Sequence, residues 1–318
     1  MSRYMIRRLL RGALTMLVSV TLTFVILRLM PGDPAEVLVD PRMTAEVRAQ
    51  LLADFGLDKP LWQQYVIYMA NLLRGNMGIS FKTLLPVTQV ISTRIWWTIL
   101  LMGISFLVTL IVGIPLGVIA AIRRDSAADR VITGISIFGN AVFVPWLAIS
   151  LLYIFGYLIP VFPIGGAVEI GVTGWERVKS IAFHLVLPVS SLLIINLARY
   201  VLFLRTCMVE VMHEDYIRTA RAKGVNSRAI IYKHALRNAF LPTLTMMGLQ
   251  LGYMVGGAVL TETVYAYPGV GRLIYESVKH HDYPVLQGTF IVLALAVIVA
   301  NILTDLLYSL LDPRVRFD

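Results

Sequence analysis

Long apolar windows separated by short polar segments make up most of this chain. A helix needs about 20 apolar residues to cross the ~30 Å hydrocarbon core of a bilayer. Six windows reach or nearly reach that length, at residues 9–30, 95–122, 131–160, 180–204, 242–261 and 284–311. The pattern therefore predicts an all-α integral membrane protein with six transmembrane helices.

The first window is the weakest of the six, because Arg11 and Arg28 shorten its uncharged run. Both arginines lie near the ends of the window, from where a long side chain can reach the membrane interface. The run ends in Pro31-Gly32-Asp33-Pro34 and has no small-x-small cleavage site. This favours a retained membrane anchor over a cleaved signal peptide.

Lysine and arginine are distributed unevenly among the polar segments. They are concentrated in the N-terminal residues, in 123–130, in 205–237 and in the C-terminal tail, which six spans would place on one side. The positive-inside rule then predicts that both termini are cytoplasmic. The same rule accounts for the formal net charge of +9, so no nucleic-acid partner is inferred.

Composition agrees with a membrane protein and limits the other chemistry. Of the 318 residues, 58% are hydrophobic and 15% are charged, which is unusual for a soluble domain of this size. Cys207 is the single cysteine, so the chain cannot form an internal disulfide.

The long outer loop at residues 31–94 predicts two short amphipathic helices. Such helices can lie on the membrane, cover a vestibule or pack against the spans, and the pattern leaves these alternatives open. The first helix has Thr44 as its cap, Val47, Leu51 and Phe55 on one face, and Gly56 at its end. The second has Pro60 in its first turn, Leu61, Tyr65, Met69 and Leu72 on one face, and Gly75 at its end.

Two further features lie between the spans on the outer side. The residues Pro268, Gly269 and Gly271 predict a tight turn after the fifth span. His280 and His281 precede Asp282 and could hold a cation, but a solvated loop is the favoured interpretation, and no metal site is predicted.

Two charged residues fall inside predicted spans. Arg199 and Asp305 lie toward the inner ends of the fourth and sixth windows, at similar depth. An intramembrane ion pair between them is one hypothesis, and separate contact of each with the interface is the other.

The polar segment between the fourth and fifth windows is the main functional candidate. Residues 210–222 contain good helix formers and predict one helix, which Gly224 would end in a left-handed conformation. Asn226 or Ser227 can cap a second helix that runs to about Asn238. Pro242 is expected to open the fifth span at a helix start.

This segment is strongly basic. Its cations are Arg218, Arg221, Lys223, Arg228, Lys233 and Arg237. From the residues alone, two interpretations stay open: a loop that only follows the positive-inside rule and touches lipid phosphates, or a docking element for a cytoplasmic protein.

Residues 216–224 (Tyr-Ile-Arg-Thr-Ala-Arg-Ala-Lys-Gly) and 234–242 (His-Ala-Leu-Arg-Asn-Ala-Phe-Leu-Pro) favour the second interpretation. Together they resemble the cytoplasmic motif of ABC-importer permeases of the dipeptide/oligopeptide/nickel family. The resemblance is to the heterodimer subunit with the long first periplasmic loop, and it runs almost end to end. Further segments that look like family signatures are 29–34, 56–61, 120–124, 267–272 and 310–316.

Three segments depart from the family pattern. Arg218-Thr219-Ala220 replaces Glu-Ala-Ala of the broader motif, a form usual in the peptide/nickel group. Gly75-Asn76-Met77-Gly78 replaces a commoner Gly-Asp-Leu-Gly, and residues 140–146 differ from the usual Ser-x-Pro-x-Phe-Trp. The last two changes leave the exact substrate open.

The resemblance implies a type I ABC-transporter permease fold and a division of the chain. Residues 1–93 would form an N-terminal anchor with the long loop, 94–311 the permease core with coupling helices at 210–238, and 312–318 a cytoplasmic tail. The residues implied to couple the chain to an ATPase are Asp215, Tyr216, Arg218, Thr219, Ala220, Arg221, Ala222, Lys223, Gly224, His234 and Leu236.

The resemblance also implies the partners and the location. These are a homologous second permease, two ATP-binding subunits that hold ATP and Mg, and a periplasmic or lipid-anchored substrate-binding protein, in the inner membrane of a bacterium. The implied function is ATP-driven import, most readily of di- or oligopeptides, with nickel chelates, glutathione-like compounds or oligosaccharides as alternatives.

Motifs for chemistry within this chain are absent from the sequence. It has no Gly-x-x-x-x-Gly-Lys-Ser/Thr loop, so we expect it neither to hydrolyse ATP nor to bind a cofactor itself. No catalytic residue is predicted, which disfavours an integral-membrane enzyme. An ATP-independent carrier is the other alternative, and it lacks the buried polar residues that ion coupling needs.

Overall fold

The structure is a computed structural model that describes residues 2–29 and 58–311. Helices account for most of these residues, and the described part contains no strand, only an isolated antiparallel bridge between Ile79 and Pro86. The prediction of an all-α protein is therefore confirmed. The helices are α1 (Ser2–Leu29), α2 (Leu61–Leu73), α3 (Val87–Ile122), α4 (Ala127–Ala141), α5 (Val144–Leu152), α6 (Gly174–Met212), α7 (Asp215–Ala222), α8 (Leu236–Val264), α9 (Val270–Lys279) and α10 (Tyr283–Leu311).

The structure agrees in part with the predicted number of six spans. Within the described residues, four helices are long and apolar enough to cross a membrane, and a bent pair raises the number to five. The four are α1, α3, α6 and α10, and the pair is α4 with α5 and its π-helical extension Tyr153–Leu158. The predicted fifth window lies in α8, part of whose side chains is outside the described structure. The total of six stays a prediction.

Two of the helices are longer than a bilayer requires. α3 has 36 residues and α6 has 39, which at 1.5 Å per residue gives lengths of about 54 and 58 Å against ~30 Å of hydrocarbon. Each contains an interior proline, Pro115 and Pro188, which removes one backbone hydrogen bond without ending the helix. Both helices therefore extend beyond the hydrocarbon.

The third predicted span is broken instead of straight. α4 and α5 meet at an angle of 101°, and Val142 and Phe143 between them have extended backbone conformations. A continuous helix would place the ring of Pro145 against the carbonyl of Ala141 and leave that carbonyl without a donor. In the observed arrangement Pro145 lies in the first turn of α5, where no such bond is needed. The break falls within the 140–146 segment that departs from the family pattern.

The described residues form two compact units. The first comprises the described residues within Met1–Thr98 and Pro268–Ile298, and the second comprises those within Ile99–Tyr267 and Val299–Asp318. This division follows contacts along the fold and does not test the predicted boundaries at 93 and 311.

In the first unit, α2 packs against α1. The ring of Phe24 in α1 contacts the rings of Tyr65 and Tyr68 at centroid distances of 5.3 and 5.6 Å. The hydroxyl groups of Thr21 and Tyr65 share a hydrogen bond of 2.7 Å. α2 starts at Leu61, so Pro60 is its N-cap residue and lies just before the first turn in which it was predicted. Gly75, with φ +77°, follows the end of the helix as the sequence predicts. The other predicted helix, with Thr44, Val47, Leu51, Phe55 and Gly56, lies outside the described residues.

Asp282 ties the start of α10 to the turn before α3. Its carboxylate accepts hydrogen bonds from the hydroxyl of Ser80 and from the backbone N–H groups of Phe81 (3.1 Å) and Lys82 (3.4 Å). Asp282 is only 3% exposed, so the expectation of a solvated loop is wrong for this residue. The sequence pattern could not show this because Ser80 is 202 residues away.

We expect Asp282→Ala to destabilise the protein by about 1–3 kcal/mol, because three donors then lose their acceptor. Thermal unfolding of the purified chain in detergent measures the effect. Asp58→Ala is the matched control, since Asp58 is an exposed acid of the same unit. Equal unfolding temperatures for the two variants would contradict the structural role of Asp282.

The predicted turn after the fifth span is displaced. Tyr265 and Ala266 form the turn, with Ala266 at φ 49°, while Gly269 precedes α9 and Gly271 lies buried inside it. Gly271 is therefore a helix residue and not a turn residue. The hydroxyl of Thr98 accepts a hydrogen bond from the backbone N–H of Val270 at 2.8 Å and so satisfies one free donor of the first turn of α9.

In the second unit, α6 contacts α4, α5 and α8. α4 approaches α6 closely at Gly139, where an added Cβ would lie 2.9 Å from the carbonyl oxygen of Ile194. In the middle of α5, the carbonyl of Ala148 accepts a hydrogen bond of 3.0 Å from the hydroxyl of buried Tyr265. Burial raises the pKa of Tyr265 to about 12, so the phenol keeps the proton that it donates.

Candidate functional site

The basic segment folds into two short helical arms joined at Gly224. α7 forms the first arm, and residues 227–236 form the second, as a helical turn (Ser227–Ala229) and a π-helical stretch (Ile230–Ala235) that run into α8. We call residues 215–236 the elbow. All of it belongs to the second unit.

Gly224 ends α7 in the left-handed conformation that the sequence predicts, with φ +73°. The backbone N–H of Gly224 donates to the carbonyl of Arg221 (3.0 Å), and that of Val225 donates to the carbonyl of Ala220 (3.2 Å). This pair of bonds is a Schellman motif, which satisfies carbonyls that the helix end would otherwise leave free. It also sets the direction in which the second arm leaves α7.

A single buried side chain anchors α7 to the rest of the unit. Ile217 is fully buried, while its neighbours Tyr216 and Arg218 are exposed. Burying an isoleucine stabilises by about 1.5–3 kcal/mol, so packing at this residue holds the arm in place. The buried residues of the same cluster come from α3, α6, the second arm and α8: Val118, Ala121, Leu204, Cys207, Met208, Ile230, Ala235 and Ala239.

The second arm is capped and tied to the first. The side chain of Asn226 accepts from the N–H of Arg228 at 3.0 Å, which confirms Asn226 as the cap. Further along, the amide of Asn238 donates to the hydroxyl of Tyr216 (2.8 Å) and to the carbonyl of His234 (3.0 Å). Together with Ile217, these bonds join both arms to the start of α8.

Two boundaries of this region differ from the prediction. The single helix expected at 210–222 is interrupted at His213 and Glu214, because α6 ends at Met212 and α7 starts at Asp215. Glu214 has an extended backbone (φ −66°, ψ 147°) that turns the chain between them. Pro242 lies in the interior of α8 and does not open a helix, so that expectation is wrong. The helix starts earlier because the residues before Pro242 pack into the cluster around Ile217.

The polar face of the elbow points to solvent in this chain. The Arg218 guanidinium lies 3.3 Å from the Asp215 carboxylate, with both side chains largely exposed, and such a pair is worth at most about 0.5 kcal/mol. The charges are therefore not needed for folding and are available to a partner. Of the predicted coupling residues, Asp215, Tyr216, Arg218, Thr219, Arg221, Ala222, Lys223 and Gly224 are exposed, and Ala220, His234 and Leu236 are half-buried.

An ion pair in the same unit as the elbow, with a buried carboxylate, was missed by the sequence reasoning. Arg205 in α6 contacts both carboxylate oxygens of Asp129 in α4, each at 2.6 Å. Asp129 is 3% exposed, and it also accepts from the N–H of Asp125 (2.9 Å) and the hydroxyl of Thr133 (3.1 Å). The signal in the sequence was weak, since Asp129 falls in the short charged segment 123–130 between two windows and Arg205 falls at the edge of a window.

The pair predicted between Arg199 and Asp305 is not tested, because the side chain of Asp305 lies outside the described residues. The Nε of Arg199 donates to the Oδ1 of Asn140 at 3.3 Å. Across the residues that the structure describes, no three His, Cys, Asp or Glu side chains are grouped to hold a metal ion.

Two family models together match nearly the whole chain. The model described as "Binding-protein-dependent transport system inner membrane component" matches residues 113–317. The model for the N-terminal part of such membrane components matches residues 1–102. The elbow and the Asp129–Arg205 pair lie within the first of these matches.

Curated relatives match from end to end. A dipeptide transport system permease protein of Escherichia coli strain K12 is 37% identical over 336 residues, covering 99% of each chain. A probable peptide ABC transporter permease protein of Sinorhizobium fredii is 38% identical over 319 residues, covering 100% of each. An oligopeptide transport system permease protein of Bacillus subtilis is 36% identical over 320 residues, again covering 100% of each.

The fold also resembles a solved transporter. An inward-facing structure of the MetNI methionine ABC transporter superposes with a TM-score of 0.58, covering 71% of this chain and 97% of that chain. The sequences are 15% identical, so the similarity concerns the fold alone. It agrees with the predicted type I permease fold.

Proposed function

The chain belongs to the family of binding-protein-dependent transport system inner membrane components, and we propose that it is the permease subunit of an ATP-driven importer of di- or oligopeptides. The observation that carries the proposal is the end-to-end match, at 36–38% identity, to permeases named for dipeptide, peptide and oligopeptide transport. None of these relatives is named for the transport of nickel chelates, glutathione-like compounds or oligosaccharides.

The elbow is the proposed contact with the ATP-binding subunits. Its exposed face combines Tyr216 with the cations Arg218, Arg221 and Lys223, a surface suited to a groove with acidic residues. Its opposite face is fixed by Ile217 in the cluster formed with α3, α6 and α8. A push on the exposed face therefore reaches three helices as a rigid displacement, because packed side chains transmit movement with little compression.

Transport then requires that the ATPase favours one conformation of the permease. A partner that binds two conformations equally shifts neither. We propose that ATP-driven closure of two ATP-binding subunits moves the elbow, and that the permease pair alternates between inward- and outward-facing states. ATP and Mg would be held by those subunits and not by this chain.

The remaining partners and the orientation complete the proposal. A homologous second permease would form the other half of the path, and a periplasmic or lipid-anchored binding protein would deliver the peptide. The chain would lie in the bacterial inner membrane with both termini in the cytoplasm. The concentration of Lys and Arg in the elbow supports this orientation, since cationic loops are retained on the cytoplasmic side.

The proposal is tested by affinity purification of the tagged chain from its own organism. We expect a second membrane subunit and ATP-binding subunits to co-purify. The complex, placed in liposomes with its binding protein, should accumulate a radiolabelled dipeptide only when hydrolysable ATP is present on the elbow side.

Two results would contradict it. Accumulation of the dipeptide at the same rate with a non-hydrolysable ATP analogue would indicate an ATP-independent carrier. ATP-driven uptake of a sugar or metal chelate in preference to any peptide would retain the machinery but reject the substrate class. The ligand that remains bound to the purified binding protein identifies the substrate independently.

A further inference from the structure

The first unit contains a mostly apolar cavity of about 150 Å³, with a few polar side chains in its wall, that no part of the transport proposal uses. It lies between the C-terminal end of α1, one face of α2 and the start of α10. The residues important for its chemistry are Phe24, Arg28, Gln64, Tyr68, Asn71 and Gln287. The space is enough for a small polar group and too small for a folded segment of protein.

Two polar atoms at this cavity are buried and have no hydrogen-bond partner among the described residues. They are the Oε1 of Gln64 and the hydroxyl of Tyr68. The Nε2 of Gln64 donates to the carbonyl of Lys59 at 2.7 Å, which assigns the acceptor oxygen as the atom left over. Buried polar atoms are satisfied by protein or water in more than about 90% of cases, so two such atoms at one cavity point to a hydrogen-bonding occupant, either water or the polar group of a ligand.

The charge of the cavity gives the sign of that occupant. Arg28 is the one charged residue among the described residues that line it. Its guanidinium lies 5.5 Å from the ring centroid of Phe24, and no acidic side chain lines the described wall. Burial raises the pKa of the Tyr68 phenol above its usual range, so the phenol keeps its proton and can donate. Arg28 and Tyr68 thus offer donors to an anion, and Gln64 offers an acceptor.

The position of Arg28 indicates where such an anion comes from. It is the penultimate residue of α1, whose segment Leu10–Leu29 is long and apolar enough to span a bilayer. Phospholipid phosphates lie just beyond the end of a spanning segment. In the last two turns of α1, Leu22, Val25, Ile26 and Leu29 are exposed, and they offer an apolar surface to acyl chains.

We propose that this cavity binds the headgroup of a membrane phospholipid that carries its own hydrogen-bond donor, as phosphatidylethanolamine does. The phosphate accepts from Arg28 and Tyr68, and the ammonium donates to Gln64. A phosphatidylcholine headgroup has the same phosphate but no N–H donor, so it leaves the Gln64 oxygen unsatisfied. The site therefore distinguishes the two lipids through one acceptor.

The test measures phospholipid retained by the full chain after purification from mixed vesicles of equal phosphatidylethanolamine and phosphatidylcholine content. Bound lipid is identified by native mass spectrometry. We expect the wild-type chain to retain phosphatidylethanolamine about tenfold more than phosphatidylcholine, the ratio for one hydrogen bond to a charged group. Gln64→Leu should abolish the preference, and Arg28→Ala should lower retention of both lipids.

The controls separate lipid binding from folding and from other ligands. Arg74→Ala removes an exposed arginine of the same unit that does not line the cavity, and it should leave retention unchanged. Arg28→Lys keeps the charge, so it should restore part of the lipid retention that Arg28→Ala loses. It is also the variant to measure if Arg28→Ala unfolds the unit. Equal retention in Arg28→Ala, Arg28→Lys and wild type would overturn the proposal.

Competition assigns the source of the headgroup. Soluble glycerophosphoethanolamine at millimolar concentration should not displace the lipid, since it lacks the acyl chains that contact α1. Displacement by that compound would assign the cavity to a free phosphodiester, and displacement by a dipeptide would assign it to the transported substrate. Either result overturns the lipid site. The first leaves the peptide-permease proposal untouched, and the second would support it.

Discussion

ATP-driven uptake is expected to fall to background when Gly224 is replaced by proline, while the chain still inserts into the membrane. Gly224 has φ +73°, and proline fixes φ near −65° and has no N–H. The substitution therefore removes the bond from Gly224 to Arg221 and changes the angle between the arms. Leaving the capped carbonyl without its donor and forcing φ to change costs about 1–3 kcal/mol. The change lies in the elbow, where we propose that the ATPase binds.

The measurement is dipeptide uptake and ATPase attachment in inner-membrane vesicles, with the amount of inserted chain determined in the same samples. An added Cβ at Gly224 meets no atom within 4 Å, so the effect of φ is separated from that of bulk. Gly224→Asn should keep most uptake because asparagine tolerates positive φ, and Gly224→Ala should be intermediate.

Gly75→Pro is the matched control for a lost helix cap. Gly75 also follows a helix with positive φ (+77°), and its N–H also donates to a carbonyl three residues back, that of Leu72. This variant should keep its ATPase subunits. Normal uptake by Gly224→Pro, or equal loss of ATPase attachment in Gly75→Pro, would reject the coupling role of the elbow.

Removal of the Asp129 carboxylate is expected to cause the largest loss of stability. Asp129→Ala leaves Arg205 as a partly buried charge without its carboxylate, and breaking a buried pair in this way costs about 3–5 kcal/mol. Two further donors, the N–H of Asp125 and the hydroxyl of Thr133, lose their acceptor as well. Thermal unfolding in detergent should show a marked decrease, and less of the chain should accumulate in the membrane.

Neighbouring Asp125 provides the control for this prediction. Its side chain is 83% exposed beside Arg124, so Asp125→Asn should change stability by no more than a few tenths of a kcal/mol. The double variant Asp129→Leu with Arg205→Met should regain much of the stability, because apolar residues often replace a buried pair without loss. If Asp129→Ala unfolds at the same temperature as Asp125→Asn, the pair does not stabilise the protein.

The double variant also tests what the pair does besides stabilising. The pair joins the start of α4 to the C-terminal part of α6, about three turns before the elbow begins. A double variant that is stable yet transports poorly would show that a fixed distance between these helices is needed for coupling. Normal transport would limit the role of the pair to folding.

Much of the fold was predictable because it depends on residues that are close in sequence. The length of an apolar run is enough to place a spanning helix. Within the described residues, the structure has helices long and apolar enough at five of the six windows, one of them as a bent pair. The cap at Asn226 and the left-handed Gly224 depend on bonds within two to five residues. At those positions the residue type alone limits the backbone conformations that the chain can adopt.

Errors occurred where packing overrides local preference. Pro242 carries a helix-start signal, yet α8 begins before it because Ala235 and Ala239 are buried in the cluster with Ile217. Gly269 and Gly271 look like turn residues, yet Gly271 is helical and buried. A local pattern limits the conformations that a residue can adopt. The packing of neighbouring residues then determines which of these conformations has the lower free energy.

By itself, the sequence determined the helical class, the spanning segments, the cationic elbow with its glycine, and the family. These follow from composition, from apolar run length and from motifs of about ten residues. Only the tertiary structure decided which polar groups are buried together, namely Asp129 with Arg205 at a separation of 76 residues and Ser80 with Asp282 at 202. It also decided that Ile217 is the anchor of the elbow. Such pairings depend on which helix faces meet after packing, and no local pattern encodes that distance.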